Sequence, residues 1–251
     1  MPIQKTKVQF EDPPVVEKVL GVFFRTSRPI SGATLGRVWA FAFADEFPFT
    51  EDRPPGEAPP DPTAPRGGDA RPTASVARFR PTRIWAQNRQ RDEAMQLQDN
   101  AFFQNWFWNK VDPYRSFETQ VKQFESRLTQ LESCLRDVGV EPLAYTWAMV
   151  TYVNHIPSAG QENFMHELGR IFRFWARDGD LERELHADFA AVRLSFPLPE
   201  PEGRLDVAVD PARLSEGDAL VWRMELSASK VVPRGERGAV KVALKVLTRS
   251  W

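Results

Sequence analysis

Apolar residues along the chain fall into short continuous runs, alternating stretches and two stripes of helical period, and each pattern predicts an element. Val19-Leu20-Gly21-Val22-Phe23-Phe24 is short and β-rich, and the turn-prone Ser27-Arg28-Pro29-Ile30-Ser31-Gly32 follows it, so it reads as a strand. Leu35, Val38, Trp39, Ala42 and Phe43 then recur on one face of a 3.6-residue period, predicting a helix from Ala33 to Phe47 closed by Pro48. Strands are expected from Ala77 to Asn88 and from Ala94 to Gln98, joined by a polar hairpin at Arg89-Gln90-Arg91-Asp92, with the second running on through Ala101 to Trp106.

The clearest period belongs to Phe117, Val121, Phe124, Leu128, Leu131, Leu135 and Val138, spaced alternately by four and three. It predicts a helix of about six turns with Gly139 as its natural C-cap. Such a stripe suits a helix lying on a sheet and equally a coiled-coil seam, so core packing and self-association both stay open. Beyond it come a strand from Tyr145 to Ile156, a helix from Glu162 to Trp175, strands over Phe189 to Phe196, Leu205 to Val209 and Leu220 to Ser229, and a terminal helix from about Gly238.

The order strand, helix, several strands, helix thus occurs twice. Leu35-Gly36-Arg37-Val38-Trp39-Ala40-Phe41 also matches Leu168-Gly169-Arg170-Ile171-Phe172-Arg173-Phe174 at an offset of 133 residues. A small residue, Gly36 or Gly169, would let each helix approach the sheet closely. These observations predict an α+β fold of two βαβββα-like repeats, residues 1–140 and 141–251, forming an antiparallel curved sheet with helices on one side. The order resembles the TATA-binding-protein type of duplicated fold, with a helix-grip arrangement as the alternative. The offset carries the second closing helix to about 250–271, so it is expected to be cut short and its apolar strip covered by another subunit.

Composition narrows the class. The 251 residues carry 33 Lys plus Arg against 34 Asp plus Glu, a net charge of -1, with 42% hydrophobic residues. A packed core is affordable, and nucleic acid or acidic lipid would need a local patch. Between Arg53 and Pro72, 7 of 20 residues are Pro and 3 are Gly, which predicts a mobile surface loop. Met1 to Phe10 lack the apolar run of a secretory signal, so a cytoplasmic, non-membrane protein is expected. The single thiol, Cys134, lies within the helical stripe and is expected to be buried and inert.

Several segments resemble a sporadically distributed bacterial family of uncharacterised proteins of about 250 residues. They are Pro14-Val15-Val16-Glu17, Leu35-Gly36-Arg37-Val38-Trp39, Leu97-Gln98 through Asn105-Trp106, Tyr114 through Phe117-Glu118, and Tyr152-Val153-Asn154-His155-Ile156. Where that family has Arg after Asn-Trp this chain has Phe107, and its C-terminus looks short. The resemblance implies no activity. Patchy distribution is typical of accessory defence or toxin-antitoxin genes and points towards partner binding.

No phosphate-binding glycine loop or serine-nucleophile elbow occurs. His166-Glu167-Leu168-Gly169-Arg170 starts like a zinc motif but has Arg170 where the second imidazole must stand, so neither metal nor cofactor is expected. Three groups remain as site candidates. Asn154 and His155 end a strand before Pro157, where His155 could act as base or donor and Asn154 as orienter. Arg78, Arg80 and Arg83 with Trp85 form a basic strand, suited to nucleic acid or an anionic ligand, or simply a solvated edge. Trp106, Phe107 and Trp108 are too many consecutive rings for one core, so some are expected at an interface, Phe107 and Trp108 above all. The favoured reading is a non-enzymatic binding or regulatory subunit holding a protein partner, a second copy, or nucleic acid through the Arg-rich strand. The alternative is an enzyme with His155 in a cleft acting on an anionic substrate.

Overall fold

The computed structural model describes residues 14–56, 83–108, 115–140, 142–158, 167–169, 191–198, 203–214 and 217–249. It is an α+β fold whose nine strands form one antiparallel sheet. In chain order these are β1 (Val15–Arg25), α1 (Gly32–Ala42), β2 (Phe49–Arg53), β3 (Arg83–Gln87), β4 (Glu93–Gln98), β5 (Ala101–Phe107), α2 (Phe117–Asp137), β6 (Ala144–Pro157), β7 (Val192–Leu198), β8 (Gly203–Arg213), β9 (Leu220–Val231) and α3 (Arg237–Arg249). The sheet order is β2-β3-β4-β5-β1-β6-β9-β8-β7, so β1 and β6 share the centre. Their pairing is antiparallel, with Leu20 opposite Val150 and Val22 opposite Ala148, and a bulge shifts the register between Val15 and Glu17.

The helices lie on one face. Leu20, Val22 and Phe24 of β1, Phe102 and Trp106 of β5, and Ala148 and Val150 of β6 form the main core with α1, α2 and α3. The stripe of α2 is spent there: Val121, Phe124, Leu128, Leu131 and Leu135 are all buried against the chain's own sheet. Ser116 caps its first turn by accepting from the Thr119 amide at 3.2 Å. Gly139 closes it at φ +72°, where its N–H donates to Arg136 and the Val140 N–H reaches back to Leu135. Cys134 is half-buried against this core, and its burial pushes the thiol pKa up.

A buried ion network fixes α2 to the sheet. Glu93, on the helix side of β4, accepts from Arg127 Nη1 at 2.8 Å and from Arg115, while Arg127 also pairs with Glu46. The Arg127 guanidinium lies 4.8 Å from the Phe47 ring centre. Glu125 and Glu132 of α2 in turn take Lys241 and Arg237 of α3, so the two closing helices are clasped together.

Several expectations change. The first helix ends at Ala42, short of Phe47 and Pro48. The amides of both Phe43 and Ala44 turn back to the Trp39 carbonyl, and the Trp39 indole donates to the Phe47 carbonyl at 3.0 Å. That turn sinks Phe43 and Phe47 into the core, which an extended helix would not. Gly36 permits no close approach, since a Cβ there would meet nothing within 4 Å. β2 was not expected, because its residues are mostly exposed and show no apolar alternation. The strand from Ala94 does not run on to Trp106 but turns at Asp99 and Asn100 to give the β4-β5 hairpin. The terminal helix begins at Arg237, close to the expected Gly238, and not at the 250–271 to which an offset of 133 residues would carry the second closing helix. Of the proline-rich stretch, residues 57–72 lie outside the described residues, and of the helix expected from Glu162 only Glu167 to Gly169 are described, as helical.

Candidate functional site

Strand alternation sends every second side chain to the face away from the helices. Among the described residues no helix packs on that face. Its middle carries an apolar cluster of its own, with Val19, Phe23, Ala101, Phe103 and Trp147 buried together. The Phe23 and Phe103 rings meet edge to face at 5.2 Å, and Gly21 makes room, since a Cβ there would lie 2.3 Å from the Phe103 ring.

Beside this cluster the structure joins two features that the sequence held apart. Arg83 and Trp85 of β3 face the same side as Phe107 of β5, and the Trp85 and Phe107 rings stand 6.2 Å apart. The Arg53 guanidinium stacks 3.8 Å from the Trp85 ring centre, held there by Glu51 through contacts of 3.1 Å. The indole N–H of Trp85 and Nε of Arg83 are buried without a hydrogen-bond partner.

From Arg83 a row of side-chain hydrogen bonds crosses four strands. Arg83 Nη1 donates to Gln96 Oε1 at 2.7 Å, Gln96 Nε2 donates to Asn105 Oδ1 at 2.6 Å, and Asn105 Nδ2 donates to Glu17 Oε1. Every bond points the same way, from an arginine to a carboxyl. Burial pushes the Glu17 pKa above its usual 4.5, against the opposing pull of Asn105 and of the Arg223 charge. Burial likewise pulls Arg83 down, and the neighbouring Arg53 charge adds to this.

Most of the remaining charges of this face are matched. By register it carries Arg25, Arg53, Arg83, Arg193, Arg204 and Arg223 against Glu17, Glu51, Asp206, Asp210 and Glu225. Arg53 pairs with Glu51, Arg204 with Asp206 at 2.7 Å, Arg193 with Asp210 at 2.7 Å and Arg223 with Glu225 at 3.0 Å. Arg83 and Glu17 have no ion-pair partner among the described residues, and neither does Arg25, which is exposed to solvent at the end of β1. A cleft of about 310 Å³ also opens over β7 to β9, lined by Arg193, Ser195, Arg204, Asp206, Glu225 and Ser227, but each of these charges already has an ion-pair partner within or beside the cleft.

The other expected residues are placed differently. Asn154 and His155 point to opposite faces: Asn154 is buried on the helix side and donates to the Met224 carbonyl at 3.3 Å, whereas His155 is half-exposed opposite Arg223. The two side chains therefore do not meet on one side of the sheet. Burial and the Arg223 charge lower the His155 pKa. Trp106 is not at an interface but in the main core, 4% exposed. Trp108 is half-buried, its amide bonded to the Val16 carbonyl at 2.9 Å. Arg78, Arg80, His166 and Arg170 lie outside the described residues.

The chain matches no family model and no curated protein. No group of three His, Cys, Asp or Glu able to hold a metal occurs among the described residues, and no described helix is long and apolar enough to cross a membrane. Reasoning from sequence missed Glu17, Arg53, Gln96 and Asn105. Gln96 and Gln98, two amides at alternate positions inside a strand, were the available signal, since polar side chains buried in a sheet must bond to something.

Proposed function

We propose that the protein is a non-enzymatic binding or regulatory subunit that docks a partner on the sheet face away from its helices. One observation carries this reading: Arg83, Trp85 and Phe107, singled out for different reasons, converge there with Arg53 on one surface. An arginine and aromatic surface is the composition of an interface centre. The near balance of six arginines and five carboxylates favours a protein over nucleic acid, because a phosphate backbone needs a large surplus of cations. An accessory role in defence or a toxin-antitoxin pair, in the cytoplasm, agrees with a subunit whose chemistry is recognition.

We further infer that the two halves are one unit built twice, in the manner of the TATA-binding protein. Supporting this, β1 and β6 lie side by side at the centre, each flanked by the last strand of its own half, β5 or β9, and each half closes with a helix. Leu35 and Leu168 are both buried, each next to a half-exposed glycine. Among the described residues the first half has one strand more, β2, at its edge.

The docking reading is tested by placing a photo-crosslinking phenylalanine analogue at Phe107 or at Phe41, which lies on α1 and is 77% exposed. In cells that naturally carry the protein, position 107 is expected to give a discrete adduct and position 41 none. Adducts from position 41 alone would place the partner on the helix side and end the proposal.

A further inference from the structure

The row from Arg83 to Glu17 has a chemistry that the rest of the face lacks. Four arginines on this face have a carboxylate at 2.7–3.1 Å, and the four carboxylates they use are thereby neutralised. Arg83 instead donates to a neutral amide, and Glu17 accepts from one. The two unmatched ions cannot reach each other, since β4 and β5 intervene and Gln96 and Asn105 fill the gap.

Leaving both charges unmatched is unfavourable in the isolated chain, because a partly buried ion without a counter-ion loses hydration that nothing restores. Glu17 Oε1 is taken by Asn105, and no described residue bonds its second oxygen. The Arg83 guanidinium is fixed in direction by Gln96. Both ends are thus pre-oriented by the same row, which lowers the ordering penalty on binding.

We propose that this row is a two-point dock for an extended peptide segment of a protein partner, which sets a basic side chain on Glu17 and an acidic side chain on Arg83. Three strand spacings separate the ends, about 14 Å. Residues i and i+4 of an extended chain lie about 13 Å apart and point to the same side, so the segment reads basic-x-x-x-acidic or its reverse. The residue between them, i+2, sits over the amides of Gln96 and Asn105, flanked by the Trp85 and Phe107 rings. This inference rests on the docking reading above and names the partner chemistry for it.

The experiment uses the full chain and labelled nine-residue peptides of Thr and Ala, read by fluorescence anisotropy. One pair carries Lys and Asp four residues apart in either order; the controls carry Lys alone, Asp alone, or both three residues apart, where they face opposite sides. The matched spacing is expected to bind at least tenfold more tightly than any control. Glu17→Gln, which keeps an oxygen for Asn105 to bond, is expected to erase the gain from Lys, and Arg83→Met the gain from Asp. The Glu17→Gln result decides alone if Arg83→Met fails to fold. Equal binding of all peptides, binding of none, or an unchanged preference in Glu17→Gln would overturn the two-point dock. If position 107 still crosslinks a partner while the peptides show no preference, the docking face stands and only this chemistry is lost. A single-stranded oligonucleotide bound in place of the peptides, with a steep salt dependence, would overturn it in favour of nucleic acid.

Discussion

Two glutamates on opposite faces of one sheet show how differently the fold treats a buried carboxyl. Glu93, 5% exposed beneath α2, is gripped by Arg127 and Arg115 and has Gln104 beside it. Glu17, on the other face, receives one neutral amide and no cation within ion-pair distance. The first is wired into the core and has no valence left for anything else. The second keeps an oxygen and an unbalanced charge, which is what separates a residue kept for binding from one kept for structure.

The comparison breaks most visibly at Arg127. Arg127→Met takes one of its two cations from the buried Glu93, which keeps Arg115, and leaves the half-exposed Glu46 without its arginine; it is expected to lower unfolding free energy by about 3 kcal/mol in a urea titration, the low end for breaking a buried pair. A loss below about 1 kcal/mol would show that the helix-side network carries no structural weight.

A smaller effect is expected from Gly21→Ala on the open face. The new methyl would collide with the Phe103 ring, and displacing that ring is expected to cost about 1–3 kcal/mol by the same titration. An unchanged midpoint would mean that the apolar middle of the open face yields easily, unlike the helix side.

The finest test concerns pH. The Glu17 pKa is raised in the folded chain, so between 4.5 and that raised value the folded state holds more protons than the unfolded one. Its stability contribution therefore falls as pH rises through this window. Against Glu17→Gln, the natural chain is expected to lose ground steadily as pH rises above 4.5, with a change smaller than that of either variant above. Parallel stability curves for the two proteins would remove Glu17 from the comparison.

How far these features could be read from sequence follows from the range of the forces involved. The α2 stripe and its glycine cap were legible because period and capping are local, and the structure spends Val121 to Leu135 where the period says. β2 was invisible, since an exposed edge strand is held by backbone pairing to β3 and leaves no apolar alternation. The end of α1 was misplaced because Pro48 is a strong local stop, while the true end is set by burial of Phe43 and Phe47. Arg83, Trp85 and Phe107 were recognisable by type, but their meeting depends on hairpin register. The row could not be seen at all: Asn105 and Glu17 are 88 residues apart, and only the pairing of β1 with β5 makes them neighbours.

The central position of β1 has a consequence for how the molecule is made. It leaves the ribosome before both of its neighbours, Ala101–Phe107 and Ala144–Pro157. Throughout synthesis of residues 26–100 this apolar strand has both of its sides unzipped, and the second is closed only when β6 emerges. A nascent chain of this kind folds late and needs shielding from its neighbours on the polysome until Pro157 has been translated.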